Sequence, residues 1–259
     1  MSLKLKITNK YGQSITLTQN KAFSVAQVTG LTPPAASINT APIATKDGSL
    51  FNSAYLDNRN IVILLYPTGN PEAERVNLYK YLKAKQKIRI ELTTKSRAVY
   101  IDGYIESLEG DLYENPQSLQ ASIICPDPYF KAVTPIVKNF SSTSEEITNT
   151  SDEESGAVFE ITASGAAENP TITNDTTGES FTVNYSLQTG DKITLNTRRG
   201  EKSLTLTRSG TTTNILNAMA PSSRWLNILP GANTISYTAA SGSANLALKM
   251  TLDPIFEGI

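Results

Sequence analysis

Apolar and polar residues alternate along most of this chain with the period of two that places successive side chains on opposite faces of a strand. In the first half the pattern predicts strands at LKLKIT, SITLT, AFSVAQV, NIVILLY, KIRIEL, AVYIDGYIESL and SLQASIIC. Only one stretch breaks that period. Asn70 is suited to cap a helix and Pro71 to open one, where its missing N–H has no partner anyway, and Arg75, Leu78, Tyr79 and Leu82 follow at i, i+3, i+4, i+7 spacing. That spacing predicts a short amphipathic helix packed on a sheet.

Two segments lack sustained periodicity. Gly30 to Asn60, LTPPAASINTAPIATKDGSLFNSAYLDNRN after the glycine, is far longer than an ordinary connection and rich in Pro, Ala, Ser and Asn. Residues 139–156, centred on SSTSEEITNTSDEESG, are Ser/Thr/Glu-rich and read as a solvated linker. Beyond it come short alternating runs, AVFEITA, PTITN, SFTVNY, KITLN, KSLTLT, NTISYT and NLALKMTL, separated by Gly or Asn turns, as expected of a β-sandwich. The expected fold is mainly β: a sheet domain with one short helix and a long arm over residues 1–138, the linker at 139–156, and a sandwich over 157–259.

Composition narrows the chemistry. The 259 residues contain no histidine and one cysteine, Cys125. Ser/His/Asp and Cys/His couples, imidazole metal ligands and an internal disulfide are thereby excluded. The carboxylates Glu145/Glu146 and Asp152/Glu153/Glu154 lie in the polar linker, without the shielded pocket that paired acid/base catalysis needs. The glycines fall in turn pairs rather than in a phosphate-binding pattern. No catalytic, cofactor-binding or metal-binding residue is assigned, and the chain is read as a non-enzyme. Lys and Arg number 23 against 24 Asp and Glu, so no basic excess attracts nucleic acid or anionic lipid. The longest apolar run, Ile61 to Tyr66, is far shorter than the roughly 18 residues of a membrane helix, and the amino terminus alternates like a strand. Synthesis in a cytoplasm is expected.

In CPDPYF, at 125–130, Pro126 and Pro128 cannot donate to a ladder, so the motif reads as the end of a domain with Tyr129 and Phe130 anchoring the exit. The rival reading makes Cys125 a nucleophile or haem ligand. A cysteine at an apolar strand end is more often a small buried hydrophobe.

The ordered series GLTPPAASINT, DGSLFNSAYLDNRNIVI, RVNLYKYLKAKQKIRI and RAVYIDGYIESLEGDLYENPQSLQASIICPDPYF resembles the amino-terminal half of the distal tail protein of long-tailed, non-contractile phages of Gram-positive hosts. TGDKITLNTRRGEKSLTL followed by SSRWLNILPGANTISY is similar to that family's carboxy-terminal domain. The resemblance implies a structural virion protein at the tail tip or baseplate. It would form a homo-hexameric ring through its first domain, joining the tail tube protein to a tail-associated tip or fibre protein and docking receptor-binding proteins. A galectin-like sandwich would project outward. An arm at 30–60 buried by a neighbouring subunit would explain its length. The alternative is a carbohydrate-binding or adhesion module, with Trp225, Tyr185 and Tyr237 as candidate platforms. Against it, the chain has no histidine for the His/Asn/Arg set of galactoside-binding galectins, and Trp225 stands among Leu226, Ile228 and Leu229, where burial between sheets is expected.

Overall fold

The computed structural model describes residues 3–111 and 113–259, and the chain divides into two compact units, Met1–Val133 with Phe256–Ile259, and Thr134–Ile255. The first contains β1 (Lys4–Asn9), β2 (Ser14–Thr16), β3 (Phe23–Thr29), β4 (Ala36–Pro42), β5 (Ser49–Leu56), β6 (Arg59–Pro67), α1 (Pro71–Leu78), β7 (Lys87–Thr93), β8 (Ala98–Glu109), β9 (Leu119–Cys125) and β10 (Phe130–Ala132). An antiparallel sheet runs in the order β2-β1-β7-β8-β9-β6-β3, with β10 added on β8. Its register follows from the alternation: Leu5 and Ile7 on β1, Ile61, Ile63 and Leu65 on β6, and Ile88, Ile90 and Leu92 on β7 are all buried. A slip of one residue would turn each set to water, at about 1.5–3 kcal/mol per side chain.

The helix forms as its sequence predicts. The Asn70 side chain accepts from Ala73 N at 3.2 Å, Pro71 opens the first turn, and Leu78 and Leu82 are buried against the sheet core. It ends at Leu78, a turn earlier than the periodicity through Leu82 implied, and Tyr79 is exposed. CPDPYF closes β9 and hands the chain to β10, with Phe130 fully buried.

The second unit contains β11 (Ile136–Asn139), β12 (Ser144–Asn149), β13 (Ala157–Ala163), β14 (Ala167–Glu168), β15 (Thr171–Asn174), β16 (Glu179–Thr182), β17 (Ser186–Leu187), β18 (Lys192–Asn196), β19 (Ser203–Arg208), β20 (Thr211–Asn214), β21 (Gly231–Thr238) and β22 (Leu246–Leu252). A six-stranded sheet, β11-β22-β13-β18-β19-β20, and a four-stranded sheet, β12-β21-β15-β16, share one core that includes Phe159, Phe181, Ile235, Leu248 and Met250.

The expected linker at 139–156 is not one. β11 pairs with β22, and β12 pairs with β21 along six residues, so these polar segments are edge strands of the two sheets. An edge strand keeps one hydrogen-bonding side and one face in water, and a Ser/Thr/Glu-rich sequence suits it. The inward positions of β12 are Ile147 and Asn149, both buried. Glu145, read as a solvated linker carboxylate, accepts from Lys138 Nζ at 2.6 Å, from the Ser141 hydroxyl at 2.7 Å and from Ser142 N at 3.1 Å. These donors, the lysine first, hold its carboxyl down at about 2. The last four residues also depart from the expected boundaries, since they belong to the first unit rather than to the sandwich.

Candidate assembly surface

The unpatterned segment from Gly30 to Asn60 folds as a hairpin of β4 and β5 that pairs only with itself. Gly30 starts it with φ +78°, and a Cβ there would come within 2.1 Å of the Asn60 carbonyl oxygen. Only glycine lets the two roots of the hairpin cross so closely. Asp57 N donates to Ala35 O at 3.2 Å, and the Asp57 carboxylate accepts from the Ser37 hydroxyl at 2.9 Å. At the far end Gly48 takes φ +94° in the turn.

The register sorts the side chains. Ala36, Ile38 and Thr40 share a face with their partners Leu56, Ala54 and Phe51, after a bulge between Asn39 and Thr40. The opposite face carries Ser37, Asn39 and Ser53, with Asn39 Nδ2 donating to the Ser53 hydroxyl at 3.0 Å, alongside Tyr55 and Leu50. Ile38 is 63 % exposed, Leu50 60 %, Phe51 62 % and Tyr55 58 %. None of the fifteen residues of β4 and β5 is buried. Neither 31–45 nor 49–56 contains a charged residue. A two-stranded ribbon with an uncharged apolar face is marginal in water by itself, and natural sheets protect such surfaces with charge unless something covers them. Sequence reasoning placed the arm but missed its hairpin, because the β-bulge and the small residues break the alternation.

The residues singled out for other chemistry fall into structural roles. Cys125 is fully buried, and burial pushes its thiol up to about 12 despite the nearby Arg59 guanidinium. It is a small core residue, as the strand-end reading expects. Trp225 is only half-buried. It packs on the second core with its ring centroid 5.3 Å from that of Phe181, while Lys202 Nζ lies 5.3 Å from the ring. Leu226 and Ile228 beside it are fully buried, and the indole packs against the same core while keeping part of its surface in water. Tyr237 is buried, its hydroxyl donating to Leu246 O at 3.3 Å. Asp152–Glu154 contribute local contacts: Asp152 N donates to Ile255 O, and Glu154 accepts from Asn227 Nδ2. Among the described residues no cluster of three His, Cys, Asp or Glu side chains could hold a metal ion, and no helix is long and apolar enough to cross a membrane.

The segment RWLNILPGAN is organised by buried asparagines. Asn233 Nδ2 donates to Leu229 O at 2.7 Å and to Gly231 O at 3.1 Å, and its Oδ1 accepts from Leu229 N at 3.0 Å. Asn174 Nδ2 reaches Asn227 O at 2.8 Å, and Asn149 Nδ2 reaches Ile228 O at 2.9 Å. Three buried amides from three strands thus hold the backbone of an irregular loop that has no regular ladder of its own.

The chain thus combines a sheet unit carrying a hairpin that pairs only with itself and a two-sheet sandwich with an asparagine-held loop. Residues 150–252 match the family model of the siphovirus-type tail component, C-terminal domain. The fold is similar to that of the SPP1 Dit protein, with 16 % identity and a TM-score of 0.74 across 97 % of this chain and 99 % of that one. That protein is described as a paradigm of the hub adsorption apparatus in phages infecting Gram-positive bacteria. A chain of the phage P2 baseplate in its activated conformation with Ca is similar at 15 % identity and a TM-score of 0.56, with both chains fully covered. The corresponding strontium structure gives 14 % and 0.55. No curated protein sequence matches. The resemblance to siphophage distal tail proteins is thus supported by the family-model match over residues 150–252 and by the likeness of fold.

Proposed function

We propose that this chain is a structural hub of a non-contractile phage tail, forming a hexameric ring at the tail's distal end between the tail tube and the tip or baseplate. The first unit makes the ring, its β4–β5 hairpin lying against a second copy of the chain. The galectin-like sandwich docks host-adsorption proteins. One observation carries the reading: an ordered hairpin with Ile38, Phe51, Leu50 and Tyr55 exposed and no charge along either strand. Such a surface is stable only when covered, and an identical subunit is the occupant that closes into a ring. Mass measurement of the purified full-length chain across concentration tests this. Six copies of 28.0 kDa give 6 × 28.0 = 168 kDa, with a central opening by negative-stain microscopy. A monomer that persists to millimolar concentration and does not bind tube protein overturns it.

A second reading, glycan binding by the sandwich, has one feature in its favour. Tyr185, Arg208, Asn169, Asn184 and Gln188 line an open hollow of about 520 Å3. The buried Asp191 takes Arg208 in a fork at 2.8 and 2.5 Å, leaving the hollow without net charge, and amides can both donate to and accept from sugar hydroxyls. Glycan-array binding lost in Asn184→Ala supports that reading, and an empty array removes it.

A further inference from the structure

The hairpin leaves the first unit at Gly30 and re-enters it at Arg59, and both roots meet at one buried guanidinium. Arg59 is 2 % exposed. Its Nη1 donates to Gly30 O at 2.6 Å and to Thr32 O at 2.7 Å, its Nε to Pro128 O at 2.7 Å, and its Nη2 to Glu257 O at 2.6 Å. The guanidinium lies 4.5 Å from the Phe130 ring centroid. Four bonds thus go to backbone carbonyls on three separate stretches of chain: the outgoing root, the turn after β9, and residues 256–259. Arginine alone offers enough donors, in a rigid plane, to hold three stretches at once.

Residues 256–259 add contacts of their own. Ile259 N donates to Leu31 O at 3.2 Å, and Gly258 lies so close to the root that an added Cβ would stand 3.1 Å from Pro33 Cδ and 3.3 Å from Leu31 O. From the sheet side Arg97 Nη1 donates to Gly258 O at 2.6 Å, and its guanidinium covers the buried Phe256 ring at 4.3 Å.

We propose that Phe256–Ile259, clamped by Arg59 and Arg97, is a brace that fixes the direction of the hairpin, so that contact between subunits depends on residues 256–259. The physical reason is leverage. The strands of the hairpin pair only with each other and none of their residues is buried, so its aim is set at its roots, and a root free to pivot spends the entropy of ordering at assembly instead of at folding. Arg59 is a positioning residue in this scheme, acting through the carbonyls it holds. The consequence for assembly rests on the ring reading, whereas the consequence for the hairpin itself does not.

The test uses the full chain with Gly258→Val, the milder Gly258→Ala, and Arg59→Lys. Hydrogen exchange is read at the Asp57 amide, which donates to Ala35 O across the root, and assembly is read by sedimentation over a concentration series. In Gly258→Val, exchange at Asp57 rises by about tenfold or more while the buried amides of β7 stay protected, and the assembly midpoint moves to about tenfold higher concentration. Arg59→Lys does not restore wild-type exchange, because an ammonium cannot span the four carbonyls. Gly258→Ala keeps the fold should valine disturb it, and shifts exchange in the same direction. Unchanged exchange at Asp57 in both Gly258 variants overturns the brace. Faster exchange with unchanged assembly also overturns it as an assembly device. A wild-type chain that never assembles refutes the ring reading instead, and the exchange result then decides the brace alone.

Discussion

Phe51→Ser separates an assembly surface from an ornamental loop. Phe51 is 62 % exposed in the single chain. A phenylalanine has about 200 Å2 of surface to bury, so roughly 120 Å2 is free to be covered by a neighbour. At about 25 cal/mol per Å2 that amounts to about 3 kcal/mol for each subunit contact, or about a hundredfold in its dissociation constant. The same substitution removes almost nothing from the isolated fold, where the ring faces water, so the thermal midpoint of the monomer stays within the range of an ordinary surface change, about 0.5 kcal/mol. Sedimentation velocity and mass photometry over four decades of concentration, beside a thermal melt of the same samples, measure both quantities. The expected result is an assembly midpoint shifted upward by two decades with an unchanged melt. A shift below about threefold with the melt intact refutes the reasoning, since the hairpin's apolar face then contacts no neighbour. A lowered melt would show instead that Phe51 packs within its own chain.

Other outcomes follow from buried groups. Asn233→Ala removes the three hydrogen bonds by which this buried amide holds Leu229 and Gly231, so the second unit should lose roughly 3 kcal/mol in denaturant melts while the first unfolds as before. Because the folded Glu145 carboxyl sits at about 2 against an ordinary 4.5, its contribution is complete above about pH 4.5 and disappears as pH falls toward 2. Glu145→Gln should therefore flatten the acid limb of stability against pH in that window, and an unaltered limb would show that Lys138 and Ser141 do not hold the carboxylate in solution. Cys125, buried with its thiol raised to about 12, should react with a thiol reagent only on unfolding. Rapid labelling of the native chain would mean that the end of β9 opens.

Alternation by itself determined most of the strands. A period of two is a local property of the backbone, and wherever one face is buried, as at Ile61, Ile63 and Leu65 of β6 or Leu248, Met250 and Leu252 of β22, the core face is legible residue by residue. The Asn70–Pro71 helix start was equally local, since capping involves only the first turn. The absence of histidine excludes imidazole chemistry from the sequence alone. What tertiary structure alone decided is everything in which a residue's partner is distant in sequence. SSTSEEITN became an edge strand because β21 lay beside it, although its composition matches a linker. Gly30 to Asn60 became a hairpin because small residues and a bulge conceal its pairing, and its exposed face is visible only once the rest of the unit is seen not to cover it. Arg59 looks like any other arginine in the sequence. Its role exists only because Gly30, Thr32, Pro128 and Glu257, up to 198 positions away, present their carbonyls to one buried guanidinium. No local pattern encodes such closure, because the free energy that selects it comes from contacts formed only when the chain has folded.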